Sequence, residues 1–88
     1  MNMRLTDWNA SLAYAAELVD KLNHNGCNAR AVSYSMHDGR KGIAIQLFDL
    51  ENNFSTEFNT GICSTFGDMK NALNACYHRA MSAQFGRV

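Results

Sequence analysis

Three cysteines, three histidines and one basic turn are the features of this 88-residue chain whose residue types could do chemistry. Cys63 stands just ahead of a helix-like stretch, where the positive end of a helix lowers a thiol's pKa. Any of His24, His37 and His78 could reach it in a fold, so a small cysteine-dependent enzyme is one reading. The simpler alternative is a loop cysteine packed beneath a sheet edge, because so short a domain has little room for a substrate cleft. His24 precedes Cys27 by three residues and His78 follows Cys76 by two. Neither makes a four-ligand zinc set, and C-x-x-C is absent. The acids are scattered singly, and no Gly-rich phosphate loop occurs, so neither metal, cofactor nor catalysis is expected.

The basic turn is Met36-His37-Asp38-Gly39-Arg40-Lys41-Gly42. It could grip a phosphate, or it could simply close a hairpin. Eight bases balance eight acids, so total charge suggests neither a nucleic-acid footprint nor an acidic mimic. Proline is absent, which leaves every turn to Gly, Asn, Asp or Ser. Residues 1–88 read as one domain. No apolar run reaches the ~20 residues of a membrane span. The first residues lack a secretory pattern, and the odd cysteine count is no disulfide framework. A cytoplasmic protein without membrane contact is expected.

Five elements must position these residues. Thr6 is expected to cap a first helix with an apolar stripe of Leu5, Trp8, Leu12, Ala15, Val19 and Leu22, flanked by Leu18. Asn23-His24-Asn25-Gly26 stops it. Val32, Tyr34 and Met36 then alternate with Ser33, Ser35 and His37, as do Ile43, Ile45 and Leu47 with Ala44, Gln46 and Phe48. Phe54 to Phe58 gives a third strand. A two-residue loop sets Tyr34 opposite Ile43. A four-residue loop sets Met36 opposite Ile43 and Arg30 opposite Asp49. Both keep the apolar residues on one face, whereas a three-residue loop divides them, so that register is rejected. In the second hairpin Asp49 opposes Phe54, Leu47 meets Thr56 and Ile45 meets Phe58. Thr65, with Asp68 three residues on, or Ser64 as a second candidate cap, begins a last helix striped by Phe66, Met69, Leu73, Cys76, Tyr77 and Ala80, ending at Gly86.

The fold expected is therefore α+β, in the order α-β-β-β-α, with both helices on one face of a three-stranded antiparallel sheet. The other face would carry Ala31, Ser33, Ser35, His37, Ala44, Gln46, Phe48, Ser55, Glu57 and Asn59. This order resembles that of double-stranded RNA-binding domains. The resemblance implies an RNA grip by the first helix, by the loop HDGRKG and by the start of the second helix. That start reads STFGDMKNA, with one lysine, Lys70, beside Asp68. Arg40 and Lys41 would then carry RNA or DNA contacts. The order also resembles that of some small phage-encoded inhibitors of CRISPR nucleases. That likeness implies a non-enzymatic protein that blocks a host defence complex sterically or allosterically. A protein-binding domain is the leading expectation, and nucleic acid ranks second. The residues expected to meet a partner are His37, Arg40 and Lys41 at the hairpin tip, joined by Arg30, and Phe48 with Gln46 on the outer face. A homodimer through the outer face or an edge strand, Ala29 to Met36 or Phe54 to Asn59, is a further expectation.

Overall fold

The computed structural model describes residues 2–85, excepting the side chains of Gln84 and Phe85. The expected helix end at Gly86 lies outside these residues. Helix α1 (Leu5–His24) is followed by β1 (Asn28–Ser35), β2 (Lys41–Phe48), β3 (Phe54–Ile62) and helix α2 (Phe66–Phe85). The strands form an antiparallel sheet in the order β1-β2-β3. The fold is thus the α+β arrangement expected. Helix α1 lies over β1 and β2, and α2 over β2 and β3.

The core is filled by Ile43, Ile45 and Leu47 from β2, by Trp8, Ala15, Leu18 and Leu22 from α1, and by Met69, Leu73, Cys76 and Ala80 from α2. In α1 the buried positions run Trp8, Ser11, Ala15, Leu18, Leu22. The stripe is therefore rotated from the one expected, and Leu5 and Leu12 are exposed instead. Ser11 can replace a hydrophobe because its hydroxyl donates to the Asp7 carbonyl one turn back, at 2.7 Å. The helix begins one turn-edge earlier than Thr6: Arg4 is its N-cap, without a side-chain cap. At the other end Gly26 takes φ 91°. The Cys27 N–H donates to Leu22 C=O and the Gly26 N–H to Asn23 C=O, which closes a Schellman cap. In α2, Thr65 caps as expected, its Oγ1 accepting the Asp68 N–H at 3.1 Å.

The first hairpin differs from the expected registers. Ser33 opposes Ile43, Tyr34 opposes Gly42 and Ala31 opposes Ile45. The loop is the three-residue version, His37-Asp38-Gly39. The Gly39 N–H donates to Met36 C=O, and the Met36 N–H to Arg40 C=O. Only Gly39 of this loop has positive φ, 86°, which is a type I turn closed by a left-handed glycine. Parity is reversed in β1 as a result. Ala29, Ala31, Ser33 and Ser35 share the helix side with Ile43, Ile45 and Leu47, whereas Arg30, Val32 and Tyr34 lie on the open side. Met36 is exposed and is no core residue. Steric room on the open face explains the reversal. Gly42 and Ala44 on β2 leave slots for Tyr34 and Val32, whereas on the helix side only Ala29 of β1 is buried and Ala31, Ser33 and Ser35 stay exposed.

The second hairpin pairs Leu47 with Thr56 and Ile45 with Phe58 as expected, but Phe48, not Asp49, opposes Phe54. A bulge at this point turns Phe54 toward the outer face. Asp49 is occupied by the turn instead: its Oδ1 accepts the N–H groups of Glu51 and Asn53, both at 2.9 Å. The expected Arg30–Asp49 cross-strand pair therefore does not form; Arg30 opposes Gln46.

Two turn carboxylates make acid stability predictable in sign. The Asn53 N–H foremost, with that of Glu51, holds Asp49 below the usual carboxylate range. The Arg40 N–H and guanidinium do the same for Asp38. A depressed folded pKa gives stability that is present above the unfolded value and lost as pH falls through the folded one. Thermal midpoints should hold down to about pH 5 and drop below about pH 4. Asp49→Asn should drop less over that interval in a pH series of melts.

Candidate functional site

The outer sheet face is covered by no helix, and its aromatic end is the most distinctive surface of the described residues. Phe48 and Phe54 meet edge-to-face, with ring centroids 6.1 Å apart. The Arg30 guanidinium carbon sits 4.7 Å from the Phe48 centroid, over the ring. Phe54 is 58% exposed, and Leu50, at the adjoining turn, is 97% exposed. At the same end but on the helix side of the sheet, Gly26, Leu47, Leu50 and Ala83 wall a cleft of about 270 Å³. The turn that presents Leu50 is stiff. Besides the Asp49 bonds, Asn28 Nδ2 donates to Asn52 Oδ1 at 2.7 Å and to Asp49 C=O, and Asn52 supplies a left-handed φ of 65°.

Farther along the face, Gln46 Nε2 donates to Glu57 Oε1 at 3.0 Å, a cross-strand bond that leaves the exposed carboxylate charged. The Tyr34 ring lies across Gly42, and its hydroxyl donates to Asn59 Oδ1 at 2.6 Å. Of the six residues expected to meet a partner, Gln46 and Phe48 are on the outer face as expected, and Arg30, expected with the hairpin tip, joins them because the three-residue loop turns it to that face. His37 and Arg40 are exposed at the hairpin tip, at the other end of the sheet. Arg40 Nε bonds Asp38 Oδ2 at 2.6 Å, so its charge is locally matched. Lys41 belongs to neither group. It opposes Ser35 on the helix side, with Nζ 5.1 Å from the centroid of Trp8.

Phe54, Leu50 and Val32 were not expected at this surface. Phe54 is turned outward by the bulge, and Val32 by the three-residue loop. The spacing of Gly42 and Ala44, two small residues beside two large ones on β1, is the signal that could have revealed the second. Ala31, Ser33 and Ser35, expected outside, are on the helix side for the same reason.

The chemistry weighed for the cysteines finds little in the geometry. Burial pushes the Cys63 thiol up, and Asp68 pushes it further, which offsets any help from the helix end. Burial also raises Cys27 and Cys76. Among the described residues no group of three or more His, Cys, Asp or Glu side chains could hold a metal. Cys63 should accordingly react with iodoacetamide at neutral pH no faster than a free thiol, as timed mass spectrometry would show. Faster reaction would return the enzyme reading.

No helix among the described residues is long and apolar enough to cross a membrane. No family model matches the chain, and neither does any curated protein or solved structure.

Proposed function

We propose that this chain is a non-enzymatic protein-binding domain whose contact surface is the outer sheet face around Phe48, Phe54 and Arg30. The observation that supports it is the aromatic pair of exposed Phe54 and half-buried Phe48, with an arginine stacked upon Phe48. Aromatic and arginine side chains dominate the energetic centres of protein interfaces. Exposed apolar patches rimmed by polar residues mark interaction sites. Leu50 extends the patch, and the Gln46–Glu57 pair borders it with satisfied polar groups.

The partner class to test first is a host defence complex, of the kind blocked by the phage inhibitors that share this element order. A nearly neutral patch favours occlusion or allosteric locking over imitation of nucleic acid. Tagged protein should retain a stoichiometric host protein from lysate, and Phe54→Ala should release it. Recovery of nucleic acid instead, lost on replacing Arg40 and Lys41 with Ala, would overturn the proposal.

Nucleic acid ranks second for a geometric reason. The start of α1, the hairpin tip and the start of α2 gather at one end, where Asp7 Oδ2 accepts the Phe66 N–H at 3.4 Å. Arg40 is bound to Asp38 there, and Lys70 Nζ lies 5.3 Å from the Tyr14 centroid. The RNA-binding resemblance thus meets its three elements in place, but with the acids Asp7 and Asp68 among them.

A further inference from the structure

Edge strand β1 is open along part of its length only. Ladder bonds alternate along an antiparallel pair. Because Met36 bonds across the hairpin to Arg40, the residues in step with it, Tyr34, Val32 and Arg30, bond to β2. Ala29, Ala31, Ser33 and Ser35 aim their N–H and C=O groups away from the sheet. Ala29 bears this out: its N–H donates to Asn23 Oδ1 at 2.7 Å, and its C=O accepts from Asn23 Nδ2 at 3.2 Å. The Asn23 amide acts as a one-residue neighbouring strand and closes the edge at that point. Ala31, Ser33 and Ser35 have no such partner among the described residues.

Helix α1 carries a second unmet surface on the same side. Tyr14 bonds Asn74 and packs on Phe66, so its side of α1 faces α2. With about 100° of turn per residue, Leu5, Leu12, Val19 and Asn23 fall within about 40° of one another, far around the helix from Tyr14. Asn23 shows that this line faces the β1 edge. Leu5 is 71% exposed and Leu12 39%. An apolar seam therefore overhangs an unpaired strand edge.

We propose that the chain forms a two-fold dimer in which β1 pairs antiparallel with the same strand of a second copy about Ser33, while α1 packs against its counterpart. The register follows from the three open residues. Centring on Ser33 pairs Ser33 with the partner's Ser33 and Ala31 with the partner's Ser35, so every open backbone group is used and the one closed by Asn23 is left out. On the outer face Val32 then opposes the partner's Tyr34, a β-branched and aromatic pair of the kind that stabilises sheets. Arg30 opposes the partner's Met36, so no like charges face each other. The helix seam obeys the same axis. Trp8 lies near Lys41, which opposes Ser35, and Leu22 bonds back to the Cys27 that leads into β1. At about 1.5 Å per helical residue and about 3.3 Å per strand residue, Ser33 lies beneath roughly residue 12. Leu12 therefore meets the partner's Leu12, and Leu5 the partner's Val19. The strand pair and the seam thus fall about nearly the same axis.

This dimer does not depend on the outer-face reading. Light scattering and sedimentation across the micromolar range should give twice the chain mass. Leu12→Glu sets two carboxylates against each other on the axis. It should raise the dissociation constant at least about tenfold while circular dichroism stays unchanged. Ser33→Pro removes an N–H that β2 does not use, so the monomer should tolerate it and the dimer should not. Phe54→Ala should leave the mass unchanged. A wild-type monomer throughout the range would overturn the proposal. So would a dimer that persists in folded Leu12→Glu, which decides the matter alone if Ser33→Pro does not fold.

Discussion

Phe54→Ala is expected to weaken partner capture at least about thirtyfold, the size of a 2 kcal/mol hot spot. The argument is geometric. More than half of the Phe54 side chain is open to solvent, so a partner that covers it removes a large apolar area from water. Its ring also props the Phe48 ring, on which the Arg30 guanidinium lies. Deleting it therefore disturbs the contact area of three residues. Folding should lose only about 1 kcal/mol, the worth of one edge-to-face contact, so that the two effects separate. Arg30→Lys is the finer probe. It keeps the charge but not the flat stacking surface, and it should cost less than Phe54→Ala but more than Leu12→Glu, which lies on the helix side. Titration calorimetry with the captured partner reads all three. Equal affinity of Phe54→Ala and wild type would place the contact surface elsewhere.

How much of this was legible in the sequence depends on which interaction decides each feature. Helix ends were readable where a local backbone bond fixes them. Asn25-Gly26-Cys27 spells a Schellman cap and Thr65-x-x-Asp68 a cap, and both formed. The α1 cap failed because Thr6 is drawn inside the helix once Trp8 donates to Arg4 C=O. The central strand was readable because Ile43, Ile45 and Leu47 can be buried on one face only. An edge strand is different. Its side chains are half open whichever way it faces, so apolar residues such as Val32 and Met36 do not determine its parity. What determines it is the turn and the room over Gly42 and Ala44, and both depend on the neighbouring strand. The aromatic patch was half legible for the same reason. Phe48 follows from the parity of β2, whereas Phe54 depends on a bulge between Leu47 and Phe48 that no alternation pattern announces. The dimer seam was hidden because Leu5 and Leu12 fit the expected core stripe; the burial of Ser11 and Leu18 and the exposure of Leu5 and Leu12 show that the helix is rotated.

The same register question yields the largest expected loss of stability, at Gly42. A side chain there points to the outer face, and a Cβ built on its backbone would collide with the ring and hydroxyl of Tyr34. Backbone flexibility is not the reason for glycine, because its φ is ordinary; the reason is the tyrosine lying across it. Gly42→Ala therefore turns the half-exposed Tyr34 ring off the sheet. Because the atoms met are the far end of a side chain with solvent beside it, the cost is bounded by the tyrosine's own contacts, about 1–2 kcal/mol including the hydroxyl bond to Asn59. The thermal midpoint should fall by roughly 4–16 °C, at 4–8 °C per kcal/mol for a domain of this size. Tyr34→Ala alone should cost about 1–2 kcal/mol, from the same bond and the uncovered glycine. The two changes together should be no worse than Tyr34→Ala, since alanine suits a strand better than glycine once the ring has gone. That non-additivity is the measurement that decides. It exists only if Tyr34 sits opposite Gly42, as the three-residue loop requires. With a two-residue loop Tyr34 would oppose Ile43, and with a four-residue loop Ile45, and in either case the two substitutions would simply add. A double-mutant cycle in chemical denaturation thus reads the hairpin register directly, and additive costs would restore the parity that the strand's own pattern suggests.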